Sequence, residues 1–185
     1  MTWDDSENPE GSGDFTAPTI DQLWAEEGVN DNQELIDMSD KAFWTVSSSK
    51  EEHGVVNLTD DSPYTFWQSD GAQPHIVDIQ FSKRVELERF EIFLDYQQDE
   101  SYTPAEIALF AGTGLHDLVR ISVYELDRPE GWFHLLLNET RKDGFLKCFM
   151  LRLKITANHD NGRDTRVRAI RLLGPPVASD HMAWR

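Results

Sequence analysis

In His75-Ile76-Val77-Asp78-Ile79-Gln80-Phe81, the residues Val77, Ile79 and Phe81 fall on one face of an extended chain, and Asp78 and Gln80 fall on the other. A period of two is the mark of a strand with one buried face. The pattern returns at Phe90, Ile92, Leu94 and Tyr96 against Glu91 and Asp95, and at Phe149, Leu151, Leu153 and Ile155 against Arg152 and Lys154. Shorter segments between turn residues predict further strands near Trp44 to Ser48, Ile107 to Phe110, Val119 to Leu126, Trp132 to Leu137 and Ala169 to Leu173. Eight or so strands within about 130 residues, joined by loops and not by long helices, predict an all-β, two-sheet sandwich of jelly-roll type. A Rossmann or barrel α/β fold is excluded, and the lack of a fixed-period repeat argues against a propeller or solenoid.

Working outward from the strands, the 185 residues divide into three parts. Residues 1–34 form an acidic N-terminal arm, residues 35–174 the sandwich, and residues 175–185 a short C-terminal tail. Up to about Ala17 the arm is Asp, Glu, Gly, Ser and Pro with few large apolar residues, a composition that predicts disorder. Ile20, Leu23 and Trp24 share helical spacing behind a cap at Thr19, and Leu35, Ile36 and Met38 supply a second apolar cluster that could dock on the sandwich or a partner. With 39% hydrophobic and 11% aromatic residues, the chain can build a core without a metal or staple.

The net charge of −17 disfavours nucleic-acid and anionic-membrane partners, which depend on Lys and Arg meeting phosphate. Twelve Asp or Glu and no Lys or Arg lie in residues 1–40, so the balance beyond them is only −5. No apolar run approaches the ~20 residues needed to cross a bilayer. The single Cys148 cannot form an internal disulfide, and no basic segment followed by an apolar run opens the chain, so a reducing intracellular setting is expected. The triplets Asn57-Leu58-Thr59 and Asn138-Glu139-Thr140 are then chance matches to a glycosylation signal.

Chemistry is sought without result. No Gly-x-Ser-x-Gly, P-loop or His-Glu-x-x-His occurs, the six histidines have no zinc-type spacing, and Cys148 sits inside a strand pattern. Asp160-Asn161-Gly162-Arg163-Asp164 resembles a calcium loop only faintly, since Arg171 stands where an EF-hand needs Glu. No cofactor or metal is expected. Three polar or aromatic connections stand out instead, as binding residues gather on loops. The first is Tyr64 to His75, with Phe66 and Trp67 assigned to the core and Gln68, Ser69, Asp70 and His75 as second-rank binding candidates. The second is Asp99-Glu100-Ser101-Tyr102-Thr103-Pro104, where Pro104 drives Thr103 extended. The third is Asn158-His159-Asp160-Asn161-Gly162-Arg163-Asp164-Thr165-Arg166, which offers guanidinium groups for carboxylate or carbonyl recognition.

At these stretches the chain resembles the DOC-domain family, subunit ten of the anaphase-promoting complex or cyclosome, a multi-subunit ubiquitin ligase. The matching text is FWTVSSSK (43–50), TFWQSDGAQPHIVDIQF (65–81), DYQQDESYTPAEI (95–107), GWFHL (131–135) and ANHDNGRDTRVRAI (157–170). The resemblance implies a galactose-binding-domain-like jelly roll that does no chemistry. It implies a co-receptor that holds the destruction-box degron together with a β-propeller co-activator, promotes processive ubiquitination in cell-cycle control, and works in nucleus and cytoplasm with the other subunits of the complex. Carried over by position, the degron-facing residues are Ser101, Tyr102 and Thr103 of the second stretch, with Asn158, His159, Asn161, Gly162, Arg163 and Asp164 of the third. The family's tail is longer, ends in Ile-Arg and docks on a helical-repeat scaffold subunit; this chain departs from it, with either a trimmed tail or Trp184 and Arg185 as a variant of that docking end. The alternative is a carbohydrate-binding, lectin-like module using Trp67 or Trp132 as an aromatic platform.

Overall fold

The computed structural model describes residues 34–137, 142 and 144–176. The acidic arm with its helical pattern at Ile20, Leu23 and Trp24, the triplet at Asn138, and the docking candidates Trp184 and Arg185 lie outside the described residues.

Eleven strands are described: β1 (Ile36–Asp37), β2 (Ala42–Val46), β3 (Trp67–Gln68), β4 (His75–Leu87), β5 (Arg89–Asp95), β6 (Pro104–Gly112), β7 (Val119–Glu125), β8 (Glu130–Leu136), β9 (Leu146–Asn158), β10 (Arg166–Val167) and β11 (Ala169–Gly174). One sheet runs β1-β11-β5-β8, the facing sheet runs β2-β4-β9-β6-β7, and β10 pairs with β3 as a two-stranded ribbon. Every pairing is antiparallel. The alternation read at Val77, Ile79 and Phe81 is the inner face of β4, with Leu151, Leu153 and Ile155 of β9 and Ile107 and Leu109 of β6 beside it. Phe90, Ile92 and Leu94 of β5, Phe133 and Leu135 of β8, and Ile170 and Leu172 of β11 close the core from the other sheet. Each such side chain contributes about 1.5–3 kcal/mol on leaving water, which is why this layer pair fixes the fold.

All eight predicted strands are present, with corrections at two residues. Tyr96 does not extend β5 but opens a helical turn, Tyr96–Asp99, because Asp95 caps it by accepting from Gln98 N at 3.1 Å. Phe149 does not share the core face of Leu151: Leu146 and Cys148 are buried in the core and Phe149 is half-buried. The cause is an irregularity in the β4–β9 ladder between Gln80 and Val85, which shifts the phase of the alternation. Of the lead-in, Ile36–Asp37 pairs with β11 and Met38 is buried in the core, so this cluster docks on the sandwich. Trp67 is fully buried, its indole Nε1 donating to the Ser48 carbonyl at 2.9 Å.

Burial pushes the Cys148 thiol up to about 12. At pH 8 it is almost entirely protonated and shielded, and the thiolate is the nucleophile. Iodoacetamide should leave the native protein unlabelled and modify Cys148 once urea unfolds it, as read by mass spectrometry. Rapid alkylation of the folded chain would contradict the placement.

Candidate functional site

The three polar stretches meet at one end of the sandwich. In the third, Asn158 ends β9 and its Nδ2 donates to the carbonyls of Gly162 (3.1 Å) and Asp164 (2.9 Å), closing the loop on itself. Asp160 and Asn161 take left-handed backbone conformations, φ 51 and 56, which short polar side chains tolerate better than most. Tyr96 Oη donates to Asp160 Oδ2 at 3.1 Å, and the Tyr96 ring meets the His159 ring edge-on at 5.0 Å. The second stretch is joined to the third where His159 N donates to the Thr103 carbonyl at 2.9 Å and Thr165 Oγ1 donates to the Tyr102 carbonyl at 3.2 Å. Gly162 packs directly over the Ser101 carbonyl, where a Cβ would collide with it.

The first stretch is fastened to the same loop. Ser69 N donates to the Thr165 carbonyl (3.0 Å), Thr165 N donates back to Ser69 Oγ (2.9 Å), and Ser69 Oγ donates to Asp164 Oδ1 (3.2 Å). Gln73 Nε2 donates to the Gly162 carbonyl at 2.9 Å, and His75 Nε2 donates to the Arg163 carbonyl at 2.6 Å. Asp70 is exposed, its amide donating to Ser48 Oγ.

Beneath the loops lies an ionic network that sequence reasoning passed over. Asp99 is 2% exposed and receives both prongs of the Arg168 fork, Nε at 2.8 Å and Nη2 at 2.9 Å, plus Arg166 Nη1 at 3.3 Å. Arg168 Nη1 donates onward to the Pro63 carbonyl at 2.6 Å. The Asp99 carboxylate bonded to Arg168 holds that guanidinium above its usual range. No local pattern announces this pairing, because Asp99 and Arg168 stand 69 residues apart in sequence.

The candidate residues therefore divide by exposure. Asn161 and Arg163 are exposed, and Ser101, Tyr102, His159, Gly162 and Asp164 are half-buried along the same rim. Thr103, Asn158, Gln68, Ser69 and His75 are buried, and correct the expectation that they offer side chains outward. Gln68, Ser69, His75 Nε2 and the Asn158 amide nitrogen make their side-chain hydrogen bonds within the loops, while Thr103 is tied in through its backbone. Thr103 Oγ1, Asn158 Oδ1 and His75 Nδ1 find no partner among the described residues. Of the aromatic platforms of the alternative reading, Trp67 is inside the core, and Trp132 lies under the Arg171 guanidinium at 4.1 Å and beside Phe93.

Asp99→Ala should cost about 3–5 kcal/mol in urea denaturation, because it strands the buried Arg168 charge. A loss under about 1 kcal/mol would contradict the assigned network. Gly162→Ala should cost about 1–3 kcal/mol because the Ser101 carbonyl must give way, whereas Gly54→Ala, where a Cβ meets nothing within 4 Å, should stay within about 0.5 kcal/mol. Equal effects at the two glycines would contradict the close packing of loops two and three.

Residues 17–185 match the family described as anaphase-promoting complex, subunit 10. The anaphase-promoting complex subunit 10 of Homo sapiens is 42% identical over 139 residues, covering 75% of this chain and 75% of that one. The subunits of that name from Schizosaccharomyces pombe and Drosophila melanogaster are 37% and 44% identical, over 80% and 73% of this chain and 79% and 69% of theirs. Among solved structures, the family 32 CBM of C. perfringens NanJ, in complex with galactose, superposes with a TM-score of 0.64 at 7% identity, over 76% of this chain and all of that one. A second CBM32 domain, from CpGH89 of Clostridium perfringens, gives 0.62 at 12% identity over 74% of this chain and 99% of its own. Likeness at such identities is likeness of fold, and the fold is the jelly-roll sandwich predicted from the strand pattern. With the sequence match spanning the sandwich and all three rim loops, the chain belongs to the family of anaphase-promoting complex subunit 10.

Proposed function

We propose that this chain is a non-catalytic, substrate-recognition subunit of the anaphase-promoting complex, and that its rim holds the destruction-box degron jointly with a β-propeller co-activator. The observation that carries the reading is the fusion of three polar loops into one rim, with Asn161, Arg163, Ser101 and Tyr102 at its surface and buried hydrogen bonds behind them. An extended peptide exposes unpaired backbone groups and side chains at regular spacing, and amide and guanidinium groups on a fixed support can meet them without further ordering of the receptor. When a second protein closes over the same peptide, the entropy of ordering it is shared, so two weak surfaces make one useful site. The buried, protonated Cys148 thiol supports a role without nucleophilic chemistry of its own.

Family membership supports a wider role within the same proposal. The chain works with the other subunits of the complex, in nucleus and cytoplasm, to promote processive ubiquitination during cell division, and Trp184 and Arg185 act in scaffold docking. The carbohydrate-binding alternative is not favoured: the likeness to sugar-binding domains is one of fold, Trp67 is inside the core, and the Arg171 guanidinium covers a face of Trp132.

A folded variant carrying Asn161→Ala and Arg163→Ala should bind a destruction-box peptide, in the presence of co-activator and the remaining subunits, with an affinity about tenfold lower or worse. Fluorescence anisotropy reads the change. Unchanged affinity in the correctly folded double variant would remove the site from the rim.

A further inference from the structure

Next to the rim, one guanidinium is held more tightly than its exposure requires. The Arg166 Cζ lies 4.2 Å from the Tyr102 ring centroid and 4.5 Å from that of Phe66, and His53 stacks on Phe66 at 4.3 Å with an interplanar angle of 12°. His53, Phe66, Arg166 and Tyr102 thus form a continuous column reaching the second loop. Arg166 Nε donates to Gln68 Oε1 at 3.0 Å and Nη1 donates to Asp99 Oδ1 at 3.3 Å. Two ring contacts and two hydrogen bonds set the plane of the fork. Its Nη2 has no hydrogen-bond partner among the described residues, and the side chain remains 24% exposed.

Arg166 has the weakest share of the charge pairing around this fork. Asp99 is the carboxylate that Arg166 and Arg168 share, and Arg168 already engages both of its oxygens. Asp95 also acts on Arg168, so the shortfall falls on Arg166, whose ion pair is the longer one at 3.3 Å and whose side chain is the nearest of the group to solvent. Two other arginines are better matched: Arg152 forms a two-pronged pair with Asp78, and Arg171 pairs with Asp61. An oriented, under-neutralised guanidinium beside a peptide-holding rim favours a planar anion over a neutral carbonyl.

We propose that Arg166 is a carboxylate subsite of the rim: the Nη2 edge, set in place by Phe66, Tyr102, Gln68 and Asp99, receives one acidic side chain of the extended segment bound there. The inference rests on the peptide-binding reading above and adds the chemistry of one position. The probe is a series of fluorescent destruction-box peptides in which a single Glu is walked through the positions flanking the motif, each paired with its Gln counterpart. They are titrated by anisotropy into the assembled complex with co-activator.

With the wild-type chain, Glu should bind about tenfold tighter than Gln at one position, and less so at high salt. Arg166→Gln should reduce that preference to within about twofold, while Arg166→Lys, which keeps the charge but loses the planar fork, should retain part of it. A wild-type series with no acid-preferring position overturns the subsite, whatever the folding of the variants. So does a preference that survives Arg166→Gln. Peptide binding indifferent to Asn161→Ala with Arg163→Ala overturns the peptide reading itself, and the subsite with it, so the two failures are told apart by which variants lose which signal.

Discussion

At the base of the rim, the Asp99 carboxylate is removed from water and bound by two guanidinium groups. Burying a lone carboxylate costs several kcal/mol even after relaxation, so Asp99 can occupy its place only while Arg168 and Arg166 are there to meet it. That requirement reaches all three loops. Asp99 opens the second stretch. Arg166 ends the third and Arg168 lies two residues beyond it. Arg168 reaches the Pro63 carbonyl ahead of the first, and Arg166 reaches Gln68 within it. One buried charge therefore forces segments that are distant in sequence to share a single geometry. The rim is rigid for that reason.

The sandwich supplies the other half of the constraint. β6, β9 and β4 run side by side with their inner faces in the core, and the second and third stretches sit directly on the ends of β6 and β9, where Pro104 pairs with Asn158. A loop anchored on a buried strand end inherits the order of the core, and hydrogen bonds such as His159 N to the Thr103 carbonyl continue the ladder into the rim. For the peptide-holding role proposed above, this order would matter energetically, since affinity is otherwise lost to ordering the receptor as well as the ligand. The same architecture in sugar-binding domains at 7% and 12% identity illustrates that the scaffold is general and the loops are particular.

The sandwich was legible because its strands obey a period of two, and the reading went astray where local geometry breaks that period. Tyr96 leaves the strand because Asp95 caps a helical turn, and Phe149 changes face where the β4–β9 ladder slips. The two-residue strands β1, β3 and β10 are too short to carry a pattern at all. For the rim, polar composition and the family resemblance picked out three segments that the fold brings together at one end of the sandwich. They did not tell which side chains face outward. Thr103, Asn158, Ser69, Gln68 and His75 have the chemistry of ligand-binding groups, yet they are buried, and Ser69, Gln68 and His75 answer Thr165 N, the Arg166 guanidinium and the Arg163 carbonyl up to about a hundred positions away. Gly162, carried over by position as degron-facing, needs no positive φ; it is glycine because the Ser101 carbonyl fills the space of a Cβ.

The account stands on a preformed rim, built from residues 99–104 and 158–166 over the Asp99 network, closing on an extended segment. Hydrogen-exchange mass spectrometry on the assembled complex, with and without a saturating destruction-box peptide, tests this most directly. Peptides covering 99–104 and 158–166 should be slow to exchange without ligand and slower with it, while the β6–β7 connection at 113–118 should not respond. Fast exchange of the rim in the free complex, or ligand protection confined to other parts of this chain, would contradict it.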